Sequence, residues 1–274
     1  MTGKIVKGIA GFYYVDVPGD GIYQCRAKGI FRNKKQKPLI GDNVEFEVTH
    51  EQDMEGNVTK ILPRKNELIR PTVSNVDQAF IVFALTQPDP NINLLDRFLV
   101  AVNMNDIEAV ICFNKADLLE DDKIRELCHI YELAGYKTMA VSALEDESFE
   151  AVEELLKGKT TVFAGPSGVG KSSIINLIQQ HTHMETGQVS EKIKRGKHTT
   201  RHANLIPIDT ESYVVDTPGF SSLALDHLEK EDLKDYFVEF ASYEPECKFG
   251  GCNHMNEPKC GVKAAVERGD ISQS

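Results

Sequence analysis

The sequence predicts an open α/β sheet domain, preceded by a small all-β barrel and followed by a short helical module built around a metal ion. Three observations carry this expectation. Residues 1–66 read as short period-2 strands punctuated by glycine. From about residue 70 apolar strands alternate with amphipathic helices, the pattern of an open sheet with ligands at the carboxyl ends of its strands. Beyond residue 226 the chain turns acidic and then rich in Cys and His. The expected divisions are 1–66, 67–226 and 227–274.

In the first segment the strands are KIVKGI, FYYVDV, GIYQCRAKG, DNVEFEV and NVTKILP. Val44, Phe46 and Val48 alternate with Asn43, Glu45 and Glu47, so one face is apolar and the other polar. Five such strands with tight turns fit an OB-fold barrel, an architecture that often binds single-stranded nucleic acid. Phe12, Tyr13, Tyr14, Tyr23 and Phe31 offer rings that stack on bases or, more commonly, fill the core of a small barrel. The basic loop RNKKQK, with Lys34 and Lys35, is the better candidate for RNA.

At 274 residues the chain suits two or three domains, and its 41% hydrophobic content is enough for real cores. Apolar runs such as AFIVFAL at 79–85 have strand length, whereas a membrane span takes about 20 residues. The start MTGKIVKGIAG lacks the layout of a signal peptide, and a cytoplasmic location without membrane association is expected. Net charge is −11, which in aggregate disfavours nucleic acid, yet the charge is segregated. Residues 1–66 carry a net +3 and residues 192–202 a net +5, on a remainder of −19. The second basic segment, KIKRGKHTTRH, places Lys194, Arg195, Lys197 and Arg201 as RNA-contact candidates.

The α/β segment holds the chemistry. GPSGVGKSS matches the phosphate-loop pattern G-x-x-x-x-G-K-[ST], between the strand TTVFAG and the helix KSSIINLIQQ. Gly165, Pro166, Ser167, Gly168, Val169 and Gly170 form a loop whose backbone N–H groups face phosphate oxygens. Lys171 offsets β/γ-phosphate charge, Ser172 offers a hydroxyl to Mg²⁺, and Ser173 completes the run. NKAD, comprising Asn114, Lys115, Ala116 and Asp117, ends the apolar strand EAVICF. A carboxylate there accepts from the guanine N1–H and 2-amino group, donors that adenine lacks, which selects GTP over ATP. Ser142 and Ala143, at the end of another strand, are placed for the guanine oxygen. DTPG follows the strand SYVV, with Asp216 toward Mg²⁺ and the Gly219 amide toward the γ-phosphate. Either Thr199 or Thr200 can supply a second hydroxyl to the magnesium. The base-reading motif precedes the phosphate loop, so the usual order is permuted and the switch motif becomes the last element of its domain.

Cys247-x₄-Cys252-x-His254-x₅-Cys260 gathers three thiolates and an imidazole within one window, a ligand set suited to one structural tetrahedral zinc. The position after the switch glycine, where many GTPases carry a water-orienting Gln, holds Phe220. His227, a histidine of the basic segment such as His198 or His202, or a group supplied by a partner is a candidate for the missing function.

Taken together, NKAD, GPSGVGKSS, GKHTTRH, DTPGF and the Cys/His window behind an OB-like start resemble the RsgA (YjeQ/YloQ) GTPases. The resemblance covers essentially the whole chain. It implies an OB-fold, a circularly permuted GTPase domain and a zinc domain. It also implies late maturation of the small ribosomal subunit, with rRNA as partner and GTP hydrolysis permitting release. Thr200 is favoured over Thr199 on the family pattern, and catalysis is expected to rest on Lys171, Thr200 and His227 in a monomer that exchanges GDP for GTP. The residues alone reach a GTP switch with RNA contacts. A GTP-gated module for a protein target, with incidental hydrolysis, is the alternative.

Overall fold

The computed structural model describes residues 1–28, 31, 37–69, 71–142, 149–186, 203–220 and 228–273, the side chains of 149, 180–186 and 216–220 excepted. Strands β1 (Thr2–Ile9), β2 (Phe12–Val17), β3 (Gly21–Ala27), β4 (Asn43–His50) and β5 (Glu55–Ile61) close into a barrel in the order β1-β2-β3-β5-β4. The period-2 pattern does what it predicts. Ile5, Val15, Cys25, Val44 and Val58 point inward and are fully buried, with Tyr23 and Phe31 beside them. Tyr23 tilts against Phe46 at 5.1 Å, so these rings fill the core. Phe12 and Tyr14 instead lie under the cations of Arg26 and Lys7, at 4.8 and 5.6 Å.

A hairpin follows the barrel, β6 (Glu67–Ile69) with β7 (Thr72–Ser74). The sheet then takes β8 (Gln78–Ala84), β9 (Glu108–Asn114), β10 (Lys137–Val141), β11 (Thr160–Ala164), β12 (Asn204–Pro207) and β13 (Tyr213–Phe220). Its order is β10-β9-β8-β11-β13-β12. The pairs β9–β10 and β11–β13 are parallel, while β12 is antiparallel to β13. Every residue of β8 and β11 is buried, in runs that are apolar beyond the leading Gln78, Thr160 and Thr161, as covered strands require. Connecting helices are α1 (Ile92–Asn103), α2 (Asp121–Leu133), α3 (Phe149–Leu156) and α4 (Lys171–Thr186). Asn91 caps α1 by accepting from the Leu94 amide at 3.0 Å, and Leu95, Phe98, Leu99 and Val102 bury its apolar stripe. Three short 3₁₀ turns and helix α5 (Gly261–Arg268) complete the chain. Among the described residues no helix is long and apolar enough to cross a membrane.

The chain forms two compact units. The first comprises Met1–Ala79, Phe149–Ala164 and Lys171–Phe220. Within it Asp42, fully buried, accepts from Arg64 Nε (2.7 Å) and Nη2 (2.9 Å) and from the Ser74 hydroxyl (2.7 Å), joining barrel and hairpin. The second comprises Phe80–Ser148, Gly165–Gly170 and Ser221–Ser274. There Asn103 of α1 donates to the Tyr236 carbonyl at 2.9 Å, tying the C-terminal turns to the helix.

Candidate functional site

The phosphate-loop sequence curls between β11 and α4 because three of its positions require glycine. Gly165, Gly168 and Gly170 have φ of 132°, 82° and 98°, which side chains rarely adopt. Gly165 also presses on β8: a Cβ there would lie 2.1 Å from the Val82 carbonyl oxygen. Val169 is buried and anchors the loop, while Ser167, Gly168, Ser172 and Ser173 are exposed. Burial lowers the pKa of Lys171 below the ordinary lysine value.

The Asn-Lys-x-Asp turn sits against the last of these glycines. Asn114, at the end of β9, is 2% exposed, and its Nδ2 donates to the Val169 carbonyl at 2.8 Å. A Cβ on Gly170 would come within 2.1 Å of that Nδ2, so glycine leaves room for the bond. One side chain thus fastens the two loops together across 55 residues of sequence. Lys115 takes a left-handed φ of 65° to open the turn Ala116–Leu118, and its Nζ donates to the Gln87 carbonyl. Ser142, at the end of β10 and 2% exposed, donates its hydroxyl to Asp117 Oδ1 at 2.8 Å. That bond aims a solvent-exposed carboxylate beside the loop.

The Asp216–Gly219 motif lies inside β13, where the sequence pattern places it just after the strand. β11 steps from Val162 to Ala164 while β13 steps from Val215 to Phe220, so Asp216–Gly219 bulge out of the ladder. Asp216 pairs with Asn204 of β12. Lys34, Lys35, Ala143, Lys194, Arg195, Lys197, Thr199, Thr200, Arg201 and His227 lie outside the described residues, as do the side chains of Asp216 to Phe220.

The Cys/His window forms one cluster. The ligand atoms of Cys247, Cys252, His254 and Cys260 lie within 4.8 Å of one another. Cys247 Sγ is 3.7 Å from His254 Nδ1 and 4.0 Å from Cys260 Sγ, and that Nδ1 is 3.3 Å from Cys260 Sγ. Donors at about 2.0–2.3 Å from one tetrahedral ion have such edges. The Gly261 amide donates to Cys247 Sγ at 3.2 Å and the Lys263 amide to Cys260 Sγ at 3.4 Å, favouring thiolates. Burial pushes the Cys247 thiol up, but the amides of Gly261 and Val262 bring it below its ordinary value. Nε2 of His254 faces Glu244 Oε1 at 3.1 Å, which orients Nδ1 toward the other three ligands. Hydrogen bonding from His254, assisted by Lys234, holds the Glu244 carboxyl below the usual carboxylate range. Glu244→Ala is expected to weaken metal affinity about 10–100-fold with all four ligands intact. Competition with a chromogenic chelator measures this, and an unchanged affinity would show that the carboxylate does not support the site.

The RsgA GTPase family profile matches residues 61–226, and the RsgA N-terminal domain profile matches residues 2–57. The chain belongs to the RsgA GTPase family. Relatives named small ribosomal subunit biogenesis GTPase RsgA include one from Agathobacter rectalis, 55% identical over 100% of this chain and 94% of its own length. One from Alkaliphilus metalliredigens is 53% identical, covering 99% and 93%. The solved structure of YloQ, described as a circularly permuted GTPase, aligns with TM-score 0.83 at 42% identity, over 99% of this chain and 90% of that one. YjeQ from Thermotoga maritima aligns with TM-score 0.84 at 38% identity, over 99% and 93%. The RsgA-type chain described here is therefore a GTPase of permuted motif order behind an OB-like barrel. Two supports of this RsgA-family site, the Gln87 carbonyl and Glu244, carry no sequence signal, since only the folded chain brings them to Lys115 and His254.

Proposed function

We propose that this GTPase is an assembly factor that binds the small ribosomal subunit through rRNA and acts late in its maturation, with GTP hydrolysis permitting release. The observation that supports the GTP half is the Asn114–Val169 bond, which ties the Asn-Lys-x-Asp turn to the glycine-rich loop. The ribosomal half is supported by relatives named for small ribosomal subunit biogenesis, which match 99–100% of the chain. In this reading Asp117 takes the guanine edge, braced by Asn114 and Ser142, with Lys115 and Ala116 shaping the loop and Ala143 near the guanine oxygen. Residues Gly165 to Ser173 hold the phosphates. Ser172, Thr200 and Asp216 would hold Mg²⁺, which supplies charge neutralisation at the β/γ-phosphates. Lys171 and Thr200 stabilise the transferring phosphoryl group, and His227 orients water in place of the Gln that Phe220 replaces.

Three functional divisions are proposed at 1–66, 67–226 and 227–274, in a cytoplasmic monomer. The metal is zinc and structural, because three thiolates and an imidazole fill a tetrahedral set. Lys34 and Lys35 of the barrel and Lys194, Arg195, Lys197 and Arg201 of the switch segment contact rRNA phosphates. Charge reversal at Lys194 and Arg195 is expected to weaken subunit binding and to flatten its dependence on salt, with GTP affinity retained. Salt-independent binding by the unaltered protein would exclude this.

The deciding experiment is steady-state GTP turnover with small subunits, large subunits and RNA alone. Alone, the enzyme should turn over at about 10⁻⁴–10⁻² s⁻¹. Small subunits should accelerate it at least about tenfold, in the manner of a group supplied by a partner. Lys171→Ala should abolish the stimulated rate and His227→Ala reduce it. Fast turnover of the free enzyme, unchanged by subunits, would overturn the proposal.

A further inference from the structure

The barrel meets the sheet at the start of the switch strand. Tyr213, the first residue of β13, is 3% exposed. Its hydroxyl donates to Asp16 Oδ2 of β2 at 2.8 Å. Its ring lies under Lys4 of β1, whose ammonium is 5.4 Å from the ring centroid. Lys4 and Asp16 are register partners in the β1–β2 ladder, so two neighbouring barrel side chains grip one tyrosine. Burial raises the Asp16 carboxyl above its ordinary value, against the stabilising bond from Tyr213, and lowers the Lys4 ammonium, against the attraction of Asp77 and Asp42. Both charged groups have thus given up water to make this contact.

The other end of the same strand carries Asp216–Gly219, three residues along, a distance of about 10 Å in extended chain. β12 makes the same connection in reverse. Its first residue, Asn204, pairs with Asp216, its last, Pro207, pairs with Tyr213, and the strand lies against β1. A parallel ladder to β11 flanks β13 on its other side. Strands held on both edges move as a unit, because the interior between them is close-packed. The switch motif therefore sits at one end of a braced ribbon whose other end is fixed in the barrel.

We propose that Tyr213 is a positioning residue that couples the barrel to the switch strand, so that the nucleotide state at Asp216–Gly219 is felt at Lys4 and Asp16 and the reverse. The coupling rests on the preceding reading only in taking Asp216–Gly219 as the segment that responds to the γ-phosphate. Coupling between sites is reciprocal, so a ligand on the barrel biases the switch by the same free energy with which the nucleotide biases the barrel. RNA bound at the barrel would then adjust the switch through protein, in addition to any group it brings to the active site.

Amide hydrogen exchange on the full chain tests this without any ribosomal component. The protein is compared with GDP and with a non-hydrolysable GTP analogue, both with Mg²⁺. In the unaltered protein, amides of β12 and β13 and those of Thr2–Val17 should all exchange differently in the two states, by about threefold or more. Tyr213→Phe deletes the hydroxyl and keeps the ring. It should reduce the barrel difference to within about 1.5-fold while the β12–β13 difference and nucleotide affinity persist. Asp16→Asn still accepts from the hydroxyl and should retain the barrel response. Lys4→Met serves if Tyr213→Phe fails to fold, and should also diminish it. A response in β12 and β13 without one in the barrel overturns the coupling and leaves the switch assignment standing. No response in either place removes the switch assignment and the coupling with it. A barrel response of full size in Tyr213→Phe also overturns the proposal.

Discussion

Asp117→Asn is expected to lower GTP affinity by on the order of 10²–10⁴-fold, because two charge-assisted hydrogen bonds at about 1.5–3 kcal/mol each are lost or weakened. Xanthosine triphosphate should bind the variant better than GTP does. Its 2-oxo group accepts from the new amide, while its N1–H still finds the amide oxygen. The geometry makes the prediction sharp: the carboxylate is aimed by the Ser142 hydroxyl at 2.8 Å, and its loop is pinned by Asn114 to Val169. Ser142→Ala should therefore cost less, on the order of tenfold, since it removes the brace and not the recognition group. Fluorescent-nucleotide titration of the three proteins with both triphosphates measures these effects. A variant that keeps full preference for GTP would show that the base lies elsewhere.

Removal of the metal should have the second large effect. The C-terminal core is small, comprising Cys252, Cys260, Val262, Ala265 and Ile271 with a few half-buried neighbours, and two of its members are ligands. Apparent binding free energies for structural zinc of this kind are about 10–16 kcal/mol, more than such a core supplies by burial. Cys252→Ser, or dialysis against a strong chelator, should unfold the chain beyond about residue 230, read as rapid proteolysis there. Nucleotide affinity should stay within a few-fold, because the bonds that brace the turn, Asn114 to Val169 and Ser142 to Asp117, do not involve the cluster's Cys and His side chains. Finding no stoichiometric zinc in the unaltered protein would refute the metal assignment. Loss of GTP binding together with the metal would refute the independence of the two sites.

Much of this arrangement is legible in residue order because local chemistry dictates it. Alternation in β4 gives one barrel face, continuous burial in β8 and β11 gives the covered sheet, and positive φ explains why three loop positions are glycine. Features that depend on register are not legible. The hairpin of β6 and β7 has three residues a side, too few to show a period. The bulge that lifts Asp216–Gly219 exists only relative to β11, and nothing in DTPG itself announces it. Glu244 precedes His254 by ten residues and Gln87 precedes Lys115 by 28, spacings that correspond to no helix or strand period. Tyr213 and Asp16 stand 197 residues apart, and only the closed barrel brings them together.

The central position of β8 also has a consequence for how the protein is made. β8 lies between β9 and β11 in the sheet, and all seven of its residues are buried. During synthesis β9 follows it soon, but β11 begins only at Thr160. Until then the nascent chain presents an unpaired strand edge that is apolar from Ala79 to Ala84, the kind that associates with other chains. Closure across that sequence separation is intrinsically slow. The permuted order thus lengthens the interval in which the edge of β8 waits for its partner strand.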